Sequence, residues 1–297
     1  MQTITVTAAV QRKNILFIDT RTPQEFSEDH LPRAINIPIF SNEERAVIGT
    51  MYKQVSKEKA LETGVTLFSR KLPEFMKEIS KYQQQELIIY CWRGGMRSKT
   101  VTALLDSLGY TVYQLEGGHK AYRKYIREQL EQFHLKPKLV VLWGLTCTGK
   151  TKLLQHFSNS LDLEGLAQHR GSLYGAIGLQ PRSQKAFENV LLQRLQELNN
   201  KAYVLIEGES RKIGPVQLPA FLYTALKQGI PVLVTRSMEK RAEHALQEYI
   251  HNPGEVYQLK EVTAHLFKVI SQQHQQEALQ LLERGKNLEA IRILLEY

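Results

Sequence analysis

The amino-acid sequence predicts an α/β protein with two parallel-sheet domains and a helical region at its C-terminal end. Short apolar runs alternate with stretches of helical spacing, which is the pattern of strand–helix–strand units. Two of these runs lead directly into glycine-containing loops, as functional loops at the edge of a parallel sheet do. The length of 297 residues suits two ordinary domains.

The first half of the chain contains three predicted strands, each short and apolar. The first strand ends on Asp19 and the second on Cys91, while Gly117 and Gly118 close the third. Apolar residues at helical spacing precede a stop at Gly109. The predicted elements are, in order, a strand at 15–18, a strand at 87–90, a helix over 101–108 and a strand at 111–115.

The second half repeats the α/β pattern after a charged linker. A helical segment over roughly 119–133 leads to Lys136-Pro137-Lys138, so we place the domain boundary nearby and divide the chain into 1–128 and 129–297. The predicted elements that follow are strands at 139–143, 203–206 and 231–235, a long amphipathic helix over 187–198, and helix from 255 onward.

Composition narrows the class of protein. The chain is 42% hydrophobic and 23% charged, which is ordinary for a globular protein. Neither a membrane span of about 20 apolar residues nor a secretory signal is recognisable, so we expect a cytoplasmic protein without a membrane partner. The two cysteines form no CxxC pair, which argues against a disulfide framework or zinc site. The net charge of +9 fits either ordinary solubility or a polyanionic partner such as RNA.

The string CWRGGMRS, residues 91–98, predicts a reactive cysteine. Glycines permit tight turns in which several backbone N–H groups point into one hollow, and a helix start adds a positive dipole end. Such surroundings favour a thiolate and also bind anions. The other interpretation is a buried, inert Cys91. The predicted anion- or chalcogen-binding loop consists of Trp92, Arg93, Gly94, Gly95, Met96 and Arg97.

The surroundings of this loop resemble a known family. The string FIDTRTPQEFSEDHLPRAINIP, residues 17–38, is similar to the N-terminal signature of rhodanese domains, and the resemblance covers roughly 5–128. It implies that Cys91 carries a chalcogen as a persulfide-like species. Simple rhodaneses usually place four residues between cysteine and arginine, whereas this chain places five, as rhodanese-like phosphatases do. The loop alone therefore leaves phosphate ester hydrolysis open beside sulfur transfer.

A second motif, GLTCTGKT at 144–151, matches the phosphate-binding P-loop. A buried strand precedes it and a helical segment follows it, as the motif requires. Gly144, Gly149, Lys150 and Thr151 are predicted to hold a diphosphate, with Mg²⁺ reached through Thr151. We interpret Cys147 as loop filler.

Four further residues extend the prediction around the P-loop. Glu207 closes the strand at 203–206, and it and Glu209 are candidates for placing a metal or substrate, against the alternative of solvated turn carboxylates. Arg236 and Arg241 follow the next strand and are candidates for a phosphate-covering lid.

Two more strings, DLEGLAQHRGS at 162–172 and IEGESRKIG at 206–214, are unusual among P-loop proteins. Together with CWRGGMRS and the domain order, they closely resemble the tRNA 2-selenouridine synthase family, over nearly the whole chain. Members often extend beyond the position of Tyr297. The resemblance implies that the sulfur of 2-thiouridine at the tRNA wobble position is first geranylated from geranyl diphosphate. Selenium from selenophosphate then displaces the S-geranyl group.

The resemblance also implies roles for individual residues. Cys91 would carry selenium, Arg93 and Arg97 would hold the anionic donor, and Trp92 would stack on the wobble base or pack under the loop. We expect tRNA and a selenophosphate supplier as partners, no DNA, and no tightly bound cofactor. Polar residues expected between the phosphate loop and tRNA are Asp162, Glu164, His169, Arg170, Ser172 and Arg211, with Lys212 beside the last.

Two other functions remain open on the sequence. One is a sulfurtransferase or phosphatase domain fused to an ATP-dependent, kinase-like module. The other is an RNA-binding scaffold with degenerate enzyme folds. The intact Cys91 and P-loop count against the scaffold, and the strings around Asp162 and Arg211 count against the kinase fusion.

Overall fold

The computed structural model describes residues 1–266 and 268–297, which form two compact units, Met1–Leu130 and Glu131–Tyr297. The α/β fold class with parallel sheets and a helical C-terminal region is confirmed. No helix within the described residues is long and apolar enough to span a membrane.

The first unit is built on a five-stranded sheet in which every neighbouring pair is parallel, in the order β1-β5-β4-β2-β3. Its strands are β1 Gln2–Ile4, β2 Ile15–Asp19, β3 Ile35–Asn36, β4 Glu86–Tyr90 and β5 Val112–Leu115. Its helices are α1 Val6–Gln11, α2 Pro23–Glu28, α3 Asn42–Gln54, α4 Lys57–Ile79, α5 Met96–Ser107 and α6 Gly118–Glu131.

Strand β4 lies in the middle of this sheet because it is apolar on both faces. Its residues Leu87 to Tyr90 are fully buried, as expected of a parallel strand covered on both sides. The pair of helices α3 and α4, over residues 42–79, was not predicted. Helix α4 contributes Phe68 and Phe75 to a core that also includes Leu87 and Ile89 of β4. Cys91 thus follows the most buried strand of the unit.

The second unit has a four-stranded parallel sheet in the order β11-β6-β8-β7 and a small antiparallel hairpin of β9 and β10. Its strands are β6 Lys138–Trp143, β7 Ser160–Leu161, β8 Tyr203–Glu207, β9 Lys212–Ile213, β10 Val216–Gln217 and β11 Ile230–Leu233. Its helices are α7 Lys150–Gln155, α8 Leu163–Ala167, α9 Gln184–Leu198, α10 Ala220–Gln228, α11 Met238–Tyr249, α12 Pro253–His265, α13 Gln272–Glu283 and α14 Asn287–Leu294.

The predicted strand at 231–235 extends beyond the end of the observed strand, β11. Strand β11 ends at Leu233, because its partner β6 ends at Trp143, where the phosphate loop begins. The predicted C-terminal helix is also divided, into α12, α13 and α14. These three helices and α11 share a core that includes Ala242, Leu259, Ala278 and Ile291.

Candidate functional site

The cysteine loop packs against the glycine pair that follows β5. Gly118 has a left-handed φ of 57°, and a side chain there would overlap the carbonyl oxygen of Cys91. A side chain on Gly94 would lie 2.9 Å from the carbonyl oxygen of Leu115. His119 N–H donates to the Cys91 carbonyl at 2.8 Å. Gly94 and Gly118 are therefore glycine because the two backbones touch, and this contact fixes the end of β4.

The sulfur of Cys91 lies beside the first turn of α5. Its Sγ is 3.2 Å from Ser98 Oγ, and the helix begins at Met96 with Gly95 as an N-cap that offers no side chain. Gln114 Nε2 donates to Ser98 Oγ at 3.0 Å, which leaves the hydroxyl hydrogen of Ser98 for the sulfur or for the Gly95 carbonyl. The arrangement offers a thiolate one hydroxyl donor and a helix N-terminus.

The residue is less open than the sequence alone indicates. Cys91 is only 3% exposed, so the loop largely shields its side chain from solvent. In that loop Gly95, Met96 and Arg93 are exposed. Trp92 stacks on His119, with ring centroids 5.4 Å apart, which supports the packing role of this tryptophan.

The two arginines of the loop differ in their surroundings. Arg97 donates to the carboxylate of Glu25, at 2.8 Å and 3.3 Å, whereas Arg93 is exposed. Burial alone would raise the pKa of Glu25, but the hydrogen bonds and charge of Arg97 outweigh it and hold that pKa below its ordinary value. An anion that binds Arg97 therefore competes with Glu25.

The P-loop runs from the end of β6 to the start of α7. A side chain on Gly144 would overlap the carbonyl oxygen of Val234, and Gly149 has a left-handed φ of 92°. Lys150 Nζ donates to the carbonyl oxygens of Gly144 and Leu145, at 2.9 Å and 3.3 Å. The lysine side chain therefore lies across the loop that the motif predicts it to serve.

Three carboxylates meet beside the P-loop. Thr151 Oγ1 lies 3.0 Å from Glu164 Oε2 and 3.3 Å from Glu207 Oε2. Glu207 at the end of β8 is fully buried and accepts from the Glu164 backbone N–H at 2.7 Å. Glu209 flanks Gly171 together with Glu164. The sequence predicted Glu207 and Glu209 as candidates for placing a metal or substrate and Glu164 between the phosphate loop and tRNA, and the structure brings the three together.

These carboxyl groups hold protons more tightly than usual. Burial, followed by the neighbouring carboxylates, raises the pKa of Glu209 to about 8. The same causes raise the pKa of Glu207 well above its ordinary value, and burial raises that of Glu164. Glu164 and Glu209 therefore share a proton at neutral pH.

This clustering predicts a pH-dependent stability that Glu209→Gln removes. A carboxyl with a raised pKa stabilises the fold below its ordinary pKa of 4.5, and that stability is lost as the pH rises through about 8. In buffer without divalent cations, the variant should melt about 2–4 °C higher than wild type at pH 9, with a smaller difference at pH 6. Differential scanning fluorimetry measures this. Glu243→Gln, at an exposed position, is the control. Parallel curves of melting temperature against pH for wild type and E209Q would contradict this prediction.

The remaining predicted residues separate into three groups. Arg170 and Ser172 line the phosphate pocket, a space of about 170 Å³ that also includes Gly144, Gly149, Lys150, Thr151 and Glu209. Asp162 instead caps α8, and the His169 ring accepts from the Gly171 N–H at 3.2 Å. Arg211 is exposed and does not line this pocket.

The two predicted lid arginines contact the P-loop. The guanidinium of Arg236 lies against Gly149, with Nη2 3.2 Å from the position of a β-carbon on that glycine. Arg241 is 6% exposed, and its Nε donates to the Thr146 carbonyl at 2.9 Å. Residues that the sequence did not predict here are Lys152, His244, Glu248 and Tyr249, all of which line the phosphate pocket. The i, i+3 and i+7 spacing of Arg241, His244 and Glu248 is the signal that they share one face of α11.

A larger apolar pocket of about 690 Å³ adjoins the phosphate pocket. The two share Thr146, Cys147, Gly171, Ser172 and Tyr249. Cys147, interpreted from sequence as loop filler, thus lies where the two spaces meet, and burial raises its pKa to about 11. The apolar walls come mainly from the C-terminal helical region and include Ala245, Leu259, Ile270, Ile291 and Leu294.

Metal-binding groups are limited. Within the described residues, no group of three or more His, Cys, Asp and Glu side chains is arranged to hold a metal ion. A hard cation here would need the Thr151 hydroxyl, the adjoining carboxylates and oxygens from a ligand.

Comparison with known proteins gives matches along most of the chain. Residues 5–125 match the model of the rhodanese-like domain, and residues 137–294 match the model described as tRNA 2-selenouridine synthase AAA domain. A tRNA 2-selenouridine synthase of Nitrosomonas europaea is 33% identical over 282 residues, covering 90% of this chain and 73% of the relative. One of Hydrogenovibrio crunogenus is 34% identical, covering 84% and 72%. One of Sulfurovum sp. is 31% identical, covering 95% and 79%.

Proposed function

Because the chain belongs to the tRNA 2-selenouridine synthase family, we propose that it replaces the sulfur of 2-thiouridine at the tRNA wobble position by selenium, in two steps at separate sites. The P-loop unit geranylates the sulfur, using geranyl diphosphate. The cysteine loop serves the second step, in which selenium from selenophosphate displaces the geranylated sulfur.

The observation that carries the first step is the pair of adjoining pockets. A prenyl diphosphate has a compact anionic end and a long apolar end. The small polar pocket at Lys150 and Thr151 suits the diphosphate, and the 690 Å³ apolar pocket suits the hydrocarbon chain. The shared residues Cys147 and Tyr249 then lie near the carbon that joins the two parts of the substrate. A nucleotide would leave most of the apolar space unused.

The chemistry of this step follows from the charges. The 2-thiouridine sulfur attacks C1 of the geranyl group, the C–O bond breaks, and diphosphate leaves with the electron pair while the nucleoside loses its N3 proton. Lys150 and the P-loop amides stabilise the negative charge that develops on the leaving diphosphate. Lys150 must exchange its bonds to Gly144 and Leu145 for phosphate oxygens.

Magnesium fits this site as a companion of the diphosphate. The Thr151 hydroxyl and the Glu164 and Glu207 carboxylates are oxygen donors of the kind that Mg²⁺ prefers. When bound, the ion would neutralise charge on the diphosphate. The proton that Glu164 and Glu209 share would be displaced as the cation binds.

The second step takes place at the cysteine loop of the first unit. Selenophosphate is an anion, and the α5 N-terminus with exposed Arg93 supports its binding beside Cys91. Geranylation turns the sulfur into a better leaving group. The selenium of selenophosphate, bound beside Cys91, attacks C2, the C2–S bond breaks, and geranylthiol takes up a proton and leaves. Water then cleaves the P–Se bond and releases phosphate and 2-selenouridine. The net charge of +9 supports tRNA as the macromolecular substrate, with binding that weakens as salt rises. We place the reaction in the cytoplasm, where tRNA is processed.

Reconstitution tests the whole proposal. The protein is incubated with 2-thiouridine-containing tRNA, geranyl diphosphate and selenophosphate, and the wobble nucleoside is analysed by mass spectrometry. We expect 2-selenouridine with all components and S-geranyl-2-thiouridine when selenophosphate is omitted. Formation of 2-selenouridine without geranyl diphosphate would contradict the two-step order. Hydrolysis of ATP or of an aryl phosphate, without any nucleoside product, would favour the kinase or phosphatase alternatives.

The apolar pocket gives a separate prediction. Ala245 lies on α11 and is 3% exposed, so Ala245→Phe fills the pocket from its wall. We expect the Kd for geranyl diphosphate, measured by calorimetry, to rise at least about tenfold, which corresponds to about 1.4 kcal/mol. The Kd for inorganic diphosphate should stay within about twofold, because that ligand occupies only the polar pocket.

Two further variants make the pocket test specific. Gln247→Phe adds the same ring to the exposed face of α11 and is the matched control. Leu259→Phe fills the same pocket from α12 and should reproduce the loss. Equal binding of geranyl diphosphate by wild type, A245F and L259F would remove this pocket from the proposal.

A further inference from the structure

Helix α11 presents a row of functional side chains to the phosphate pocket. Arg241, His244 and Glu248 are spaced to share one face of the helix. Arg241 is held by the P-loop carbonyl of Thr146, so this face lies against the loop. His244 and Glu248 line the pocket together with Lys150 and Thr151.

The imidazole of His244 is buried without a hydrogen-bond partner. Its side chain is 9% exposed, and within the described residues neither ring nitrogen finds a partner. The nearest carboxylate oxygen, on Glu248, is 4.0 Å from Nε2, which is too far for a hydrogen bond. Buried polar side chains are nearly always satisfied, and the exceptions often belong to sites whose ligand is absent.

We propose that His244 binds the diphosphate of the substrate directly, as a hydrogen-bond donor from α11 opposite the P-loop. This inference rests on the proposed function for the identity of the anion. It adds a contact that the P-loop motif does not contain. The diphosphate would then be held between the P-loop amides on one side and an imidazole N–H on the other.

The surrounding charges explain why the imidazole is neutral before the anion binds. Burial, and then Lys152 and Arg236, lower the pKa of His244, while Glu248 raises it. A bound diphosphate places negative charge at the unsatisfied ring and favours the imidazolium form. The other charged groups that line this pocket are Lys150, Glu164, Arg170 and Glu209.

The direction of the pH effect follows. The pKa of His244 is higher in the diphosphate complex than in the free protein, so the extra affinity is fully present at low pH and is lost as the pH rises through the pKa of the complex. A charged hydrogen bond contributes more than a neutral one. The benefit of His244 should therefore be largest near pH 6 and smallest near pH 8.

Calorimetric titration with inorganic diphosphate tests the proposal. His244→Asn should weaken binding about tenfold at pH 6 and clearly less at pH 8, relative to wild type at the same pH. The comparison at each pH cancels the ionisation of diphosphate itself. The exposed His156→Asn is the matched control and should bind as wild type does. Lys150→Ala is the reference variant, because it removes the lysine contact to the diphosphate altogether.

The outcomes separate this inference from the proposed function. If wild type binds diphosphate and H244N binds equally well from pH 6 to pH 8, His244 has no role in binding the anion. A weakening that is the same at every pH would assign a structural role to His244 and would also overturn the proposal. If wild type itself fails to bind diphosphate, the prenyl diphosphate function falls together with the inference.

Discussion

Replacing Lys150 with alanine is expected to stop geranyl transfer to tRNA. In the proposed mechanism the charge of this lysine stabilises the leaving diphosphate, and its Nζ already lies on the loop carbonyls of Gly144 and Leu145. Removing one preorganised donor of this kind costs about 10²–10³ in rate, and the loss of a full charge brings the effect to the upper end of that range. The initial rate of S-geranyl-2-thiouridine formation, measured by nucleoside mass spectrometry without selenophosphate, gives the result.

A bypass experiment makes the Lys150 result specific. Supplied with tRNA that already carries S-geranyl-2-thiouridine, K150A should form 2-selenouridine at the wild-type rate, because the second step uses the other unit. Lys201→Ala, at an exposed site after α9, is the matched control. Geranyl transfer by K150A at the wild-type rate would exclude the P-loop from the mechanism. If K150A kept geranyl transfer but lost ATP hydrolysis, that result would favour the kinase-like alternative.

Replacing Cys91 with serine should have the opposite phenotype, an accumulation of S-geranyl-2-thiouridine. The serine hydroxyl fits beside Ser98, but an alcohol is a much weaker nucleophile than a thiol. We expect formation of 2-selenouridine to fall by at least about 10³-fold, as for loss of a catalytic nucleophile, while geranyl transfer stays within about twofold. The ratio of the two nucleosides after a fixed time measures both effects in one sample.

The chain offers its own control for the Cys91 experiment. Cys147 is the second of two cysteines, and it lies in the other unit at the P-loop. With geranylated tRNA as substrate, Cys147→Ser should retain selenium incorporation, since it affects only the site of the first step. Normal 2-selenouridine from C91S would rule out the cysteine mechanism. Loss of both products would indicate that the serine variant has lost its fold, which its circular dichroism spectrum would reveal.

These two variants also decide among the functions that the sequence left open. A rhodanese-like phosphatase fused to a kinase predicts that C91S and K150A affect two unrelated assays, on an aryl phosphate and on ATP. A tRNA-modifying enzyme of two steps predicts that they act in order on one nucleoside. A scaffold without activity predicts that neither changes any product.

Both reactive loops were recognisable from sequence because each is contiguous. The strand, glycine turn and helix start of 91–98 lie within one short string, and so do those of 144–151. Their local geometry depends on glycine conformations and apolar runs that neighbouring residues specify. The rhodanese-like character of the first unit and the parallel sheets were determined in the same way.

The helices α3 and α4 show where the sequence pattern was too weak. Apolar residues also occupy the exposed side of these helices, at Val47 in α3 and Val65 in α4, and this obscures the helical spacing of the buried ones. The short strands β1, β3 and β7 have two or three residues each, which is too short for an alternating pattern to appear. They become strands because a neighbouring strand supplies hydrogen-bond partners, as β5 does for β1.

The sequence by itself determined the fold class, the position of the two glycine-containing loops and the family. Only the tertiary structure decided that Glu164 meets Thr151, that Arg97 binds Glu25, and that His244 lines the phosphate pocket with no hydrogen-bond partner among the residues that the structure describes. It also assembled the apolar pocket from segments as distant as Leu145 and Leu294. The physical reason is the distance along the chain over which each feature is determined. Backbone conformation responds to the nearest few residues, whereas pockets, ion pairs and raised pKa values arise between side chains that chain packing brings together.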